Sequence, residues 1–169
     1  NFMERRPRKS REDGRREPSE FDQKVVEVSR VTRVTGGGKR MRFRALIVIG
    51  DRKGRVGFAL KKGNDVAESV NKAVTAAKKN LVHLPLINET IPHEVTVKFK
   101  SSKLILRPAK PGTGVIAGGA ARQVFELAGV KNVMGKMVGS NNKVNNVKAL
   151  FAAFKRMKSK EQMKKLRAK

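Results

Sequence analysis

Apolar and polar positions alternate along the first half of the chain in a way that predicts strands. Between residues 21 and 35, Val25, Val26, Val28, Val31 and Val34 lie among Thr, Ser and Arg. That β-branched density reads as a strand, kinked where the alternation slips between Val28 and Val31. After the loop Gly36-Gly37-Gly38, the residues Met41, Phe43, Ala45, Ile47 and Ile49 fall on one face of a second strand, with Arg42, Arg44, Leu46 and Val48 on the other. The first set reads as core throughout, whereas the second turns from cationic to apolar. A turn, Asp51-Arg52-Lys53-Gly54, leads to a third strand in which Val56, Phe58 and Leu60 alternate and Gly57 and Ala59 form a smooth far face. The period then changes. Val66, Val70, Ala73, Val74, Ala77 and Leu81 recur at helical spacing behind Asp65 and Glu68, a capping-box pair. This β-β-β-α unit closes near Leu84-Pro85.

Pro85 and Pro92 bracket a connection that reads as a hinge. Beyond it, Glu94–Phe99 and Lys103–Arg107 alternate as strands around the turn Ser101-Ser102. A loop rich in Pro and Gly feeds a small-residue helix, Ala117–Ala128, which Gly129 ends in a left-handed cap. Asn132–Val138 is a short strand, and Gly139-Ser140-Asn141-Asn142 is a turn with several possible N-caps. The last long helix buries Val144, Val147, Leu150, Phe151, Phe154 and Met157, while Lys143, Lys148, Lys155 and Arg156 face away. The expected fold is α+β, with two small domains at 21–85 and 86–157. They are flanked by a tail of mixed charge at 1–20, read as disordered, and a lysine-rich tail at 158–169, whose Ser159 and Gln162 suggest a marginal helix.

Charge sharpens this picture. Forty Lys and Arg against 14 Asp and Glu give a net charge of +26 over 169 residues. No fold needs such an excess, and self-repulsion makes it a cost, so a polyanion is the expected partner. The tail 1–20 is not the source, since its seven basic and five acidic side chains nearly cancel. Cationic residues instead gather where strands meet glycine turns: Arg33, Lys39, Arg40, Arg42 and Arg44 beside Gly36–Gly38, and Arg52, Lys53 and Arg55 beside Gly54. There is no Cys, Trp or Tyr, and Phe43, Phe58, Phe99, Phe125, Phe151 and Phe154 all fall on expected core stripes. With only Phe2 and Phe21 left free, there is no platform for base stacking, and recognition of the phosphate backbone is expected instead. No apolar run reaches the roughly 20 residues of a membrane helix, and no signal-peptide core is seen. A reducing, cytoplasmic setting is expected, with no membrane partner.

Motifs for chemistry fail on inspection. Gly112-Thr113-Gly114-Val115-Ile116-Ala117 fits a relaxed dinucleotide pattern, but the acid expected about 20 residues on is missing around Asn132. In the phosphate loop of small-molecule kinases two serines stand where this chain has Gly118 and Gly119. Gly129 to Gly135-Lys136 misses a Walker A loop by one residue, with Met137 at the metal-binding position. His83 and His93 lack a third ligand. Neither cofactor, metal, small-molecule substrate nor catalytic residue is expected, and the chain reads as a non-enzyme.

Four stretches carry a more specific signal: Arg30–Phe43, Gly50–Phe58, Gly112–Ala120 and Leu127–Val133. In their order they resemble the bacterial small-subunit ribosomal protein S5 family over about residues 20–157. The resemblance implies a first domain like a double-stranded-RNA-binding domain without its leading helix, and a second with a left-handed βαβ crossover. It implies that both domains bind small-subunit rRNA. The loop Thr35–Arg42 would reach toward the neck between body and head, near the spectinomycin site, and basic residues of the first domain would help line the path by which mRNA enters. Implied RNA contacts are Arg33, Thr35, Gly36, Gly37, Gly38, Lys39, Arg40, Arg42, Arg44, Arg52, Lys53 and Arg55. Gly112, Thr113, Gly114, Gly118 and Gly119 would meet ribosomal proteins S4 and S8, a contact bearing on decoding accuracy. The alternative on composition alone is a free-standing double-stranded-RNA binder or RNA chaperone.

Overall fold

The computed structural model describes residues 20–159. The expectations for the two tails therefore lie outside the described residues, except at Glu20, Lys158 and Ser159. Strands β1 (Asp22–Thr35), β2 (Gly38–Gly50) and β3 (Arg55–Gly63) form an antiparallel sheet, and helix α1 (Val66–Lys79) covers one face of it. A short strand not expected from the pattern, β4 (Leu81–His83), adds to the edge of β3. The second sheet has the order β5-β6-β8-β7, from β5 (Val95–Phe99), β6 (Ser102–Pro108), β7 (Val115–Ile116) and β8 (Val133–Val138). Helix α2 (Gly119–Ala128) links β7 to the parallel strand β8, and α3 (Lys143–Arg156) follows. The chain is α+β, as the pattern of periods requires.

These elements stack in four layers: α1, the first sheet, the pair α2 and α3, then the second sheet. Ala45, Ile47, Ile49 and Ala59 pack under Ala73 and Ala77 of α1. The opposite face of the same strands, with Leu46, Val48 and Val56, joins a larger core containing Val124, Phe125, Leu150 and Phe154 of α2 and α3 and Leu104 and Leu106 of β6. Phe58 of β3 lies against Phe151 of α3, ring centroids 4.4 Å apart. The sheet is thus apolar on both faces where it is covered, which is why β2 reads Ala-Leu-Ile-Val-Ile without alternation.

Several local expectations need correction. The slip in β1 is a bulge at Val26, where the register jumps between Val25 and Glu27, and not a kink after Val28. The extra residue turns Val26 into the large core at 8% exposure, leaving Val25 and Val28 half open. Met41 is 57% exposed, because α1 does not extend over that end of β2. Glu68 Oε2 accepts from the Asn64 backbone N–H (2.7 Å), one residue before the cap, while the Asp65 carboxylate accepts from Val66 N–H, two residues short of the Glu68 N–H that a capping box would use. α2 begins at Gly119, two residues later than the small-residue run suggests, because Val115 and Ile116 are taken by β7. The connection 84–94 is no hinge. Leu84 and Ile91 are buried, Ile87 and Thr90 exchange backbone hydrogen bonds, and Glu89 O accepts from Lys131 and Asn132 N–H.

The turn Asp51–Gly54 locks the two halves together. At the end of α2, Gly129 (φ +80°) and Val130 return their N–H groups to Glu126 O and Phe125 O, a Schellman closure. The next two helix carbonyls, on Leu127 and Ala128, accept from Arg52 N–H and Gly54 N–H, each at 2.9 Å. The approach is so close that a Cβ on Gly129 would lie 2.0 Å from Arg52 O, and one on Gly50 would lie 2.2 Å from Leu127 O. Gly129→Ala is therefore expected to cost at least about 2–3 kcal/mol, combining backbone strain with overpacking. Gly119→Ala, in open space at the start of α2, should be neutral or stabilise by up to about 1 kcal/mol. Chemical denaturation of both variants checks the contrast; equal effects would contradict the docking geometry.

Candidate nucleic-acid interface

The β1–β2 hairpin outgrows its sheet. Pairing between β2 and β3 ends at Phe43 and Gly63, whereas β1 and β2 remain paired out to Thr35 and Gly38. The free part of β2, Gly38–Arg42, and its partner form an arm extending about 16 Å, at ~3.3 Å per residue. At the tip Thr35 Oγ1 donates to Gly38 O at 3.0 Å. A Cβ on Gly36, Gly37 or Gly38 would meet nothing within 4 Å, and Gly38 sits at φ +140°. Such a tip lets an incoming surface approach to backbone distance.

Register decides how the arm's charges are arranged. Arg33 stands opposite Arg40, Val31 opposite Arg42 and Ser29 opposite Arg44. Opposed residues share a face, so Arg33, Arg40, Arg42 and Arg44 make one cationic ladder. Arg44 is half-buried and donates from Nε to Ser29 Oγ at 3.1 Å. The other face carries Arg30 and Lys39 beside Thr32, Val34 and Met41. Among the described residues, Arg30, Arg33, Lys39, Arg40 and Arg42 make no ion pair. Arg30 is absent from the contacts expected from the sequence; the strand pairing, Arg30 opposite Phe43, places it at the root of the arm on the Lys39 face.

The remaining expected RNA contacts lie elsewhere. β2 runs 13 residues, which puts the turn Asp51–Gly54 about 40 Å from the arm's tip. There Arg52 pairs with Asp22 (2.8 Å), and Arg55 pairs with Asp51 (2.6 Å) and Glu20 (2.8 Å) while lying over the Phe21 ring. Lys24 and Glu126 add a further ion pair between β1 and α2. Lys53 is exposed and, among the described residues, not ion-paired. The expected set of RNA-facing residues is thus two groups, one of unmatched cations and one of cations largely matched by acids.

Asp51 organises the second group. Burial pushes its carboxyl up, but Arg55 and the backbone N–H groups of Lys53 and Arg55 outweigh that and hold it below the usual carboxylate value. A carboxyl depressed by folding stabilises the fold fully above its unfolded value, about 3.9. The contribution fades as pH falls through the lower folded value. Asp51→Asn is expected to flatten this acid limb of the stability curve, measurable as thermal unfolding between about pH 5 and pH 2.

The loop ahead of α2 is open and firmly held. Gly112 and Gly114 have φ of +88° and +76°, and a Cβ on either would touch nothing. Asn132, buried at 4% exposure, accepts the Gly114 N–H at its Oδ1 (3.1 Å), and Val133 N–H donates to Gly114 O. Asn132 therefore serves the loop's shape, at the place where a dinucleotide site would need an acid. Gly112, Thr113, Gly118 and Gly119 are exposed or half-exposed. Among the described residues no group of three or more His, Asp and Glu is placed to hold a metal ion. His93 is spoken for: Nδ1–H donates to Glu94 O and Nε2 accepts from Lys158 N–H.

Comparison with known families agrees with this geometry. The N-terminal domain of ribosomal protein S5 matches residues 21–85, and the C-terminal domain of ribosomal protein S5 matches residues 97–167. The chain belongs to the ribosomal protein S5 family. It is therefore a structural, non-enzymatic constituent of the small ribosomal subunit, located on the cytoplasmic ribosome, among rRNA and other ribosomal proteins. No helix among the described residues is long and apolar enough to cross a membrane.

Like charges directly opposed across strands are destabilising. Arg40→Thr, which removes the clash with Arg33 and adds a good strand former, is expected to raise the low-salt melting temperature while weakening RNA binding. A lowered melting temperature would mean that the ladder is not under strain.

Proposed function

We propose that the β1–β2 arm is the principal rRNA grip of this family member. It holds folded small-subunit rRNA through phosphate contacts from Arg33, Lys39, Arg40, Arg42 and Arg44, with Arg30 added, while the Thr35–Gly38 tip enters where side chains would not fit. The observation that carries this reading is the ladder itself: opposed arginines without acidic partners lower the arm's own stability, and phosphate is the counter-ion that reverses the cost. Arg52, Lys53 and Arg55 form a lesser contact, since acids already pair with the two arginines and leave only Lys53 unmatched. The open loop bearing Gly112, Thr113, Gly114, Gly118 and Gly119 is read as the surface for neighbouring ribosomal proteins, S4 and S8. Through that surface the protein would support translational accuracy, and through its basic first domain the path of incoming mRNA.

Replacing Arg33, Arg40 and Arg42 together by Gln is expected to weaken binding to a structured rRNA fragment. The log–log salt slope should fall by about 0.7–0.9 for each phosphate no longer neutralised. Filter binding over a salt series checks this, with Arg52→Gln as a comparison expected to change the slope less. An unchanged slope in the triple variant would leave the arm as solvated surface.

A further inference from the structure

A second cationic feature lies away from the arm, between the two halves of the molecule. β3 and the end of α1 form one wall of a cleft of about 880 Å³, and α3 forms the other. The half-buried side chains of Phe58, Leu60 and Phe99 provide an apolar floor. Lysines rim both walls: Lys61 and Lys79 on one side, Lys148 and Lys155 on the other. No acid lines the cleft, and none of these four lysines is ion-paired among the described residues. Helix polarity accounts for Lys79 and Lys155, which sit in the last turns of α1 and α3. It does not account for Lys61 or Lys148. The Lys148 ammonium lies 5.8 Å from the centre of the Phe99 ring, at the rim of the cleft. Periodicity alone assigns Phe58 and Phe99 to the core, but the gap between α1 and α3 leaves them partly open.

The geometry points to a binding site for an unpaired RNA strand. Two features argue for a polymer over a small anion. Lys148 and Lys155, seven residues apart on one helix, are spaced by about 10 Å along its axis. The cleft also continues past Lys61 and Lys79 into a second depression of about 660 Å³ over α1, beside Asn71 and Thr75. A duplex would present phosphates to the rim and leave the apolar floor unfilled. An unpaired strand supplies both phosphates for the lysines and base faces for Phe58, Leu60 and Phe99, the combination used in single-strand recognition. An acidic peptide would satisfy the rim equally well, yet RNA is the polyanion that surrounds a constituent of the small subunit. This site is independent of the arm: it uses other elements, and a bound strand in the cleft does not require the arm to be engaged.

The test uses the full-length chain and a fluorescein-labelled oligouridylate, read by anisotropy across a salt series. A variant with Lys61→Gln, Lys148→Gln and Lys155→Gln should bind roughly 100-fold more weakly at 0.1 M salt, with the slope reduced by about 2, taking ~0.7 per single-strand phosphate. Phe99→Leu, which keeps the packing but removes the ring, should weaken binding several-fold with the slope unchanged. The triple arm variant should bind the oligouridylate as the parent does while losing the structured rRNA fragment. Retained oligouridylate affinity in the lysine variant would overturn the proposal and leave the arm reading untouched. Loss of oligouridylate binding in the arm variant alone would also overturn it, by locating the strand on the arm. If the lysine variant loses only polyglutamate, the cleft is a protein-docking surface and the proposal is wrong.

Discussion

The molecule depends on the way the end of α2 is closed. A helix leaves four carbonyls without intrahelical partners, and here they are answered from two sources. Gly129 and Val130 satisfy Glu126 and Phe125 from within the second half; Arg52 and Gly54 of the first half satisfy Leu127 and Ala128. Burying such a helix end without partners would cost about 1–3 kcal/mol for each orphaned group. The first half therefore completes the second half's secondary structure. Apolar packing extends the joint, since Leu46, Val48 and Val56 share a core with α2 and α3. This rigid joint anchors the base from which the arm projects.

Charge is distributed in accordance with that joint. Acids cluster at the docked end, where Glu20, Asp22, Asp51 and Glu126 pair with Arg55, Arg52 and Lys24. Most of these pairs are exposed and contribute little to stability individually. Their effect is on placement: they neutralise the end of the sheet that meets α2 and leave the distal arm uncompensated. The result is a cationic lever about 40 Å from a base whose charges are largely paired. A long two-stranded ribbon of like charges is a poor structure in isolation. It is well suited to a surface dense in phosphate, where repulsion becomes attraction and the glycine tip removes side-chain obstruction. The same logic, on a smaller scale, applies to the lysine-rimmed cleft between α1 and α3.

Much of this was legible in the chain. Periodicity determined the strands and helices, because residues alternate by two on a pleated surface and by 3.6 on a helix, whatever their neighbours. Gly129 announced the end of α2 through its tolerance of positive φ. The density of Lys and Arg beside glycine turns marked the arm, and the four ordered motifs pointed to the family. Where local chemistry is sufficient, as with Asp65 at the start of α1, sequence reasoning places the element almost to the residue; before α3 it offered several caps, of which the fold uses Asn142.

Tertiary structure decided what depends on pairing between distant residues. Whether Met41 is core turns on how far α1 reaches, and Val26 is buried only because a bulge shifts the register of β1. The opposition of Arg33 and Arg40 is a property of two strands together, as is the separation of Arg52 and Arg55 from the arm. Phe58 and Phe99 share the pattern of core residues, yet the gap between α1 and α3 opens them to a cleft. Hydrophobic pattern reports which face of an element is covered in general; it carries no record of where the covering element stops. For that reason the strands, helices and cationic turns followed from the order of amino acids alone, while the division of charge between a matched base and an unmatched arm emerged only when the chain was folded.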